Sequence, residues 1–283
     1  MSVLIGNTLI TDSEEEINLL ESSNIDIGNL HDVFLMDSIT EERRRSSFDH
    51  YNYNGLPVPR VTTILQECIA KEFLIRWAAR LGEQQYIEEK RKATITGTIV
   101  HDLIETYLKT GEDGEIYHKD KNIRGYAIKA YSNFKKWLQY INSLGYFIEE
   151  IIAIEFPVVC PYYGGTIDCI ARINGKVYII DFKTSKSISY EYFIQTSSYM
   201  WAVNTYYQGI LPHIDGIGII RIDKEKEKFE DIFLNESIPT QKEIINQYIR
   251  GFGSILYAYY NNINMKYLYQ DYKKNYNITN SLV

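Results

Sequence analysis

The sequence predicts an α/β fold, a mixed central sheet flanked by helices, with a helical wall on its N-terminal side. Three observations predict it. Two apolar, β-rich runs meet at Asn174-Gly175, the strongest short-range signal for a two-residue hairpin. Helical periodicity surrounds that hairpin, over Thr62 to Lys92, Thr98 to Lys109 and 122–144 before it, and Tyr190 to Asn204 and Thr240 to Asn261 after it. Two further β-rich runs, Gly216 to Asp223 and Glu227 to Leu234, enclose a charged turn.

Taken in order, residues 1–50 are acidic and weakly periodic, and read as an N-terminal arm, a surface extension with one or two short helices or, as the alternative, a regulatory arm that binds a protein partner. Tyr51 to Pro59, with Asn54-Gly55 and two prolines, reads as a turn and an extended entry. Residues 51–270 then form one domain, divided into a helical wall over 60–95 and a core over 97–260, and 271–283 form a polar tail. In the wall, Thr62 or Thr63 is the N-cap candidate, and Arg76, Arg80, Arg91 and Lys92 stand beside Trp77 and Tyr86. Thr98 to Lys109 is an amphipathic helix ending towards Gly111, with His101 and Glu105 four apart and so on one side. The helix over 122–144 closes at Gly145, and Ile148 to Val159 reads as the first strand of the sheet.

Composition narrows the function classes. No stretch of 18 apolar residues predicts a membrane span, and no charged n-region precedes an apolar one, so a cytoplasmic protein is expected. Three widely spaced cysteines fit neither a disulfide framework nor a zinc or iron–sulfur ligand set. The net charge of −7 disfavours a nucleic-acid partner until it is located. Residues 1–50 hold eleven Asp or Glu and three Arg, a balance of −8, which leaves the other 233 residues at +1. A near-neutral body can present a basic groove, because phosphate binding depends on local clustering of charge.

The hairpin carries the chemistry. A two-residue turn at Asn174-Gly175 sets Ile173 opposite Lys176 and Arg172 opposite Val177, and counting outward brings Asp168 opposite Asp181. Strand period two adds Lys183 on the same face. Two carboxylates about 5 Å apart repel by roughly 3 kcal/mol at an effective dielectric of about 20. Ile170, Val177 and Ile179 share their face, so solvent does not relieve the repulsion and a cation is expected. If Cys160 to Tyr163 make a four-residue loop, Glu155 falls opposite Asp168, and three carboxylates cross three strands. Such an oxygen-rich site suits Mg²⁺ or Mn²⁺. Thr184, Ser185 and Lys186 add donors for a phosphate at the strand end. Gln195 and Tyr199 sit at i, i+4 spacing on the next helix, and His101 lies at the rim of an apolar helix face.

The order His101, Glu155, Gly165-Thr-Ile-Asp168, Asp181-Phe-Lys183, Gln195-x-x-x-Tyr199 resembles the RecB-like branch of the PD-(D/E)XK nuclease superfamily. Within that branch it is most similar to the mitochondrial genome maintenance exonuclease group and its phage-encoded relatives. The likeness covers roughly 57–205, including Pro59-Arg-Val-Thr-Thr-Ile-Leu-Gln and Gly97-x-x-x-His101. It departs from the superfamily name in having Ile167 before Asp168, and it lacks the four cysteines that some relatives use for an iron–sulfur cluster, so no cluster is expected.

The resemblance implies a restriction-endonuclease-like core and a set of roles. His101, Asp168, Asp181 and the backbone carbonyl of Phe182 would hold the metal, and Glu155 would support water or a second ion. Lys183 would orient or deprotonate the attacking water and stabilise charge on the phosphate. Gln195 and Tyr199 would position the strand, with Thr184, Ser185, Lys186, Arg76 and Arg80 binding substrate. The implied activity is an Mg²⁺- or Mn²⁺-dependent deoxyribonuclease acting from free ends of single-stranded DNA. A structure-specific endonuclease, or a nuclease-fold protein that binds nucleic acid without cutting, are the alternatives.

Overall fold

Asn174 and Gly175 both take left-handed backbone, φ 46° and 75°, which a type I′ turn demands and which twists the strands correctly for a hairpin. The expected register follows, with Ile173 opposite Lys176 and Arg172 opposite Val177. The computed structural model describes residues 3–5, 8–10, 51–70 and 72–275. The rest of the predicted acidic arm and the end of the polar tail lie outside the described residues.

Two small hairpins come first, β1 (Val3–Ile5) with β2 (Thr8–Ile10) and β3 (Tyr51–Tyr53) with β4 (Leu56–Val58). Helices α1 (Val61–Cys68), α2 (Glu72–Leu81), α3 (Glu83–Thr110) and α4 (Lys121–Ser143) follow. Strands β5 (Ile148–Val159), β6 (Gly164–Ile173) and β7 (Lys176–Lys183) lead to α5 (Tyr190–Tyr206). Then come β8 (Gly216–Ile222), β9 (Phe229–Asn235) and α6 (Pro239–Asn275). The five-stranded sheet runs β5-β6-β7-β8-β9, with β7 and β8 parallel and the other neighbours antiparallel. This is the expected mixed sheet flanked by helices. Its parallel pair is joined through α5, as a parallel connection requires.

Both faces of the sheet are buried. On one, Val100, Leu103 and Ile104 of α3 and Phe134 and Trp137 of α4 pack against Ile180, Phe182 and Ile220. On the other, α1, α5 and α6 pack through Ile64, Tyr199, Met200 and Phe252 against Ile170, Ile179 and Ile219. Strands covered on both faces read as continuous apolar runs rather than alternating ones, which explains Gly-Ile-Gly-Ile-Ile-Arg-Ile in β8.

Several boundaries differ from the expectation. The first helix starts at Val61 with Arg60 as an N-cap that makes no side-chain cap bond, so neither Thr62 nor Thr63 caps it. The wall breaks after Cys68 and again at Gly82 (φ 79°), whereas the expected gap between Lys92 and Thr98 is helical, so α3 runs unbroken from Glu83 to Thr110. The final helix extends to Asn275, beyond Asn261 and into the expected tail.

One buried charge organises the far end of the sheet. Arg221 on β8 is 1 % exposed. It binds Glu230 Oε2 at 2.7 Å, Asp223 Oδ2 at 3.1 Å and the Ser185 carbonyl at 3.2 Å. Burial tends to raise the Asp223 carboxyl, but the amides of Lys226 and Glu225 and the Arg221 charge outweigh it and hold it below the ordinary value. A carboxyl depressed in the folded state adds stability above its unfolded pKa of about 3.9 and loses it as pH falls through the folded value. Urea midpoints taken between about pH 7 and pH 3 should therefore fall more for the wild type than for Asp223→Asn. Parallel pH profiles would refute the linkage.

Candidate active site

The hairpin ladder holds as far as Cys169↔Ile180. Beyond it the two strands part, β6 continuing on β5 and β7 on β8. In a two-residue hairpin the hydrogen-bonded pairs alternate outward from the turn, so Phe182 is the residue whose N–H and C=O would next face β6. Both groups meet side chains instead. The Phe182 amide donates to Asp168 Oδ2 at 2.8 Å, and its carbonyl oxygen lies 2.9 Å from His101 Nε2. The predicted facing of Asp168 and Asp181 thus becomes a gap between strands, with the two carboxylates on its sides.

Each remaining residue reaches the gap for a local reason. The loop over 160–163 closes with Cys160 N–H donating to the Tyr163 carbonyl at 2.9 Å, and Val159 pairs with Gly164. Glu155 therefore falls between the pairs Ile154↔Cys169 and Phe156↔Ile167, opposite Asp168 as expected. Its backbone is left-handed, φ 49°, a strained state for a glutamate inside a strand and one that clusters at functional sites. From α3, His101 places Nδ1 3.6 Å from Asp168 Oδ2. Ligand atoms of His101, Glu155 and Asp168 all lie within 4.8 Å of one another, a group that could hold a metal ion.

Asp181 stands outside that trio and is 3 % exposed. Its Oδ1 is 2.6 Å from Lys183 Nζ, while Oδ2 is buried without a hydrogen-bond partner. An orphaned buried carboxylate oxygen is costly. Electrostatics point the same way. Burial first, then the Asp168 charge, pushes the Glu155 carboxyl up. Burial raises Asp181 too, with Asp168 adding to the push and Lys183 resisting it. Burial would lower Lys183, but the charges of Asp181 and Asp168 outweigh it and hold the ammonium above its ordinary value. Three carboxylates, Glu155, Asp168 and Asp181, thus stand near the one ammonium of Lys183.

On the α5 side, Lys183 Nζ sits 5.1 Å above the Tyr192 ring, a cation–π contact that sequence reasoning missed. Gln195 donates to the Tyr199 hydroxyl at 3.2 Å. Tyr199 itself is buried, and a Cβ at position 165 would overlap its hydroxyl, so Gly165 is required by close approach rather than by a turn. Thr184 Oγ1 lies 3.7 Å from where a Cβ on Gly97 would stand, which shows how closely α3 approaches the end of β7. Ser185 Oγ donates to the Ser187 carbonyl at 2.8 Å, and Lys186 is exposed.

The structure does not gather the wall residues into this cluster. Arg76 and Arg80 are exposed on α2, and Arg80 Nε donates to the Arg76 carbonyl. Arg91 and Lys92 are engaged by Glu88 and Glu89 along α3.

With this geometry in place, known proteins can be compared. No protein-family model matches the chain. The chain is similar to mitochondrial genome maintenance exonuclease 1 of Mus musculus, 30% identical over 162 residues, covering 52% of the chain and 44% of the relative. The Homo sapiens protein of the same name is 28% identical over 165 residues, with the same shares covered. The matched region spans less than half the length of either curated relative. The similarity supports a relationship to nucleases. Among the described residues no helix is long and apolar enough to cross a membrane.

Gly165→Ala should destabilise the fold by about 1–3 kcal/mol, the usual range for overpacking. A double-mutant cycle with Tyr199→Leu checks the cause, since removing the hydroxyl-bearing ring makes room for the methyl. Strict additivity would show that Gly165 is needed for some other reason.

Proposed function

We propose that the chain is a metal-dependent nuclease with a PD-(D/E)XK core of the RecB-like kind, hydrolysing phosphodiester bonds of DNA from free single-stranded ends. The observation that carries the reading is the parted hairpin. There an orphaned Asp181 oxygen and the His101–Glu155–Asp168 group surround the Phe182 backbone, with Lys183 alongside. The names of the related exonucleases support it.

The residues fit a divalent ion. His101, Asp168, Asp181 and the Phe182 carbonyl supply one imidazole and otherwise oxygen donors, a set that suits Mn²⁺ as well as Mg²⁺. When bound, such an ion supplies Lewis acidity at a phosphate oxygen and lowers the pKa of water. The chain's own groups do the rest. Lys183, fixed by Asp181 and the Tyr192 ring, presents an ammonium to a phosphate oxygen and stabilises the charge that develops there. Glu155, its carboxyl pushed up by partial burial and by the Asp168 charge, is placed to accept a proton from attacking water. Gln195 faces the strand while buried Tyr199 sets its orientation. Thr184, Ser185 and Lys186 bind phosphate at the strand end, and Arg76 and Arg80 bind substrate further out on the wall. The acidic residues 1–50 offer a surface to a protein partner.

End-labelled linear and circular single-stranded DNA, incubated with the protein in Mg²⁺, in Mn²⁺ and in excess chelator, tests the reading. Linear strands should be degraded, circles spared, and chelator should stop the reaction. Cutting of circles would make the protein an endonuclease with the same site, and full activity in chelator would end the metal mechanism. Asp181→Asn and Lys183→Ala should each lower single-turnover cleavage at least about 100-fold, in the range of lost electrostatic stabilisation. Both should leave strand affinity within a few-fold of wild type, because affinity comes from phosphate contacts spread along a groove. Near-wild-type cleavage by either variant would place the active site elsewhere.

A further inference from the structure

The turn between β8 and β9 is held at many points. Asp223 Oδ1 accepts from the amides of Glu225 at 2.8 Å and Lys226 at 2.9 Å. Asn133, fully buried on α4, donates to the carbonyls of Asp223 and Lys226, both at 2.7 Å. Arg221 holds the other Asp223 oxygen, and Lys129 and Lys136 pair with Glu227. In the middle of this rigid turn stands Lys224, half-buried, with no ion pair or hydrogen bond of its side chain among the described residues.

The same Arg221 nitrogen that binds Asp223 also binds the Ser185 carbonyl, at 3.2 Å, so the two chain segments converge on one atom. The next residue in each segment is a lysine, Lys186 in one and Lys224 in the other. Lys186 likewise has no ion pair among the described residues. Of the carboxylates near the two, Asp223 and Glu230 are engaged by Arg221, Glu227 by Lys129 and Lys136, and Glu89 by Lys92, while Glu225 has no ion pair among the described residues. Burial first, and then the Lys186 charge, holds the Lys224 ammonium below its ordinary value, against the opposing pull of Glu225 and Glu89. With most of the nearby negative charge taken by other cations, a half-buried ammonium on a braced turn, close enough to a second lysine to feel its charge, suits an anion.

We propose that Lys224 and Lys186 together form a phosphate subsite at the joined ends of β7 and β8, which takes a phosphate of the bound strand other than the one at Lys183. Neither the motif order nor the spacing of the hairpin points to Lys224. Only the shared Arg221 brace brings it beside Lys186. The subsite depends on the nuclease reading for its ligand class, and the test separates the two.

Binding of dye-labelled single-stranded oligonucleotides is measured in chelator, so that nothing is cleaved, across a range of salt concentrations. The wild-type chain is compared with Lys224→Gln, Lys224→Arg and, as a control at the other end of β7, where Lys176 pairs with Asp215, Lys176→Gln. Lys224→Gln should weaken binding several-fold and reduce the slope of log affinity against log salt by about 0.7, the loss expected for one phosphate contact on a single strand. Lys224→Arg should restore the slope, and Lys176→Gln should leave it unchanged. Lys224→Gln should also melt no lower than wild type, since it removes a repulsion. An unchanged slope in Lys224→Gln, or a fall in its melting temperature reversed by Lys224→Arg, overturns the subsite and leaves the nuclease reading intact. Absence of any salt-dependent binding by wild type overturns both. Oligonucleotides with a 5′-phosphate or a 5′-hydroxyl, labelled at the 3′ end, identify which phosphate is held. A Lys224→Gln effect confined to the first supports a terminal phosphate, and an equal effect on both supports an internal one.

Discussion

Everything at the candidate site depends on the hairpin ladder ending at Cys169↔Ile180, three residues short of the end of β7. Past Cys169↔Ile180, β6 and β7 follow different neighbours, and the Phe182 peptide groups lose the partners that a regular ladder would give them. Buried backbone groups do not stay unpaired at low cost. Asp168 and His101 restore the pairing with side chains, and in doing so bring two candidate ligands to one peptide. The fold therefore creates the site by withholding a regular interaction, and the residues that repair the loss are the ones suited to a metal.

The two cores make that opening rigid. Phe182 is clamped from one face by edge contacts with Phe134 and Trp137, with ring centroids 5.6 and 6.4 Å away. Tyr199 fills the space that Gly165 leaves on the other face. Helix α3 delivers His101 from the first face and α5 delivers Tyr192 from the second, so that both layers meet at the gap. A site supported from both sides keeps its carboxylates together despite their repulsion, because neither layer can move away without opening a core.

Much of this was legible in the sequence wherever a short-range rule sets a long-range register. Asn174-Gly175 gives the hairpin and its register as far as Cys169↔Ile180, and a four-residue loop after Val159 sets Glu155 opposite Asp168, whereas the expected facing of Asp168 and Asp181 gives way to the gap. Two glycines show where legibility stops. Gly82 and Gly97 both interrupt helical sequence, yet only Gly82 breaks the helix. Gly97 stays helical, and a Cβ there would meet Thr184 only at 3.7 Å, an ordinary contact, so neither the turn nor the packing requires a glycine at that point. Arg221 was equally hidden. An arginine in an apolar run gives no local sign of being buried, and its burial makes sense only once Glu230, Asp223 and the Ser185 carbonyl surround it.

Charge counting misleads for a related reason. The body's balance of +1 suggests little affinity for a polyanion, but that sum counts engaged and unengaged charges alike. Arg91, Lys92, Lys129, Lys135 and Lys136 face carboxylates on their own helix or a neighbouring segment. Such pairs offer little field to a ligand, since each cation's charge is already met. Lys186 and Lys224 differ in having no ion pair among the described residues, and two of the acids near them, Asp223 and Glu230, serve Arg221 instead. One buried guanidinium thus does two things at the end of the sheet. It joins the β7 and β8 segments mechanically, and it takes up two carboxylates close to Lys224. Where positive potential is concentrated is decided by what the anions are bound to, and here that follows from the hydrogen bonds of Arg221.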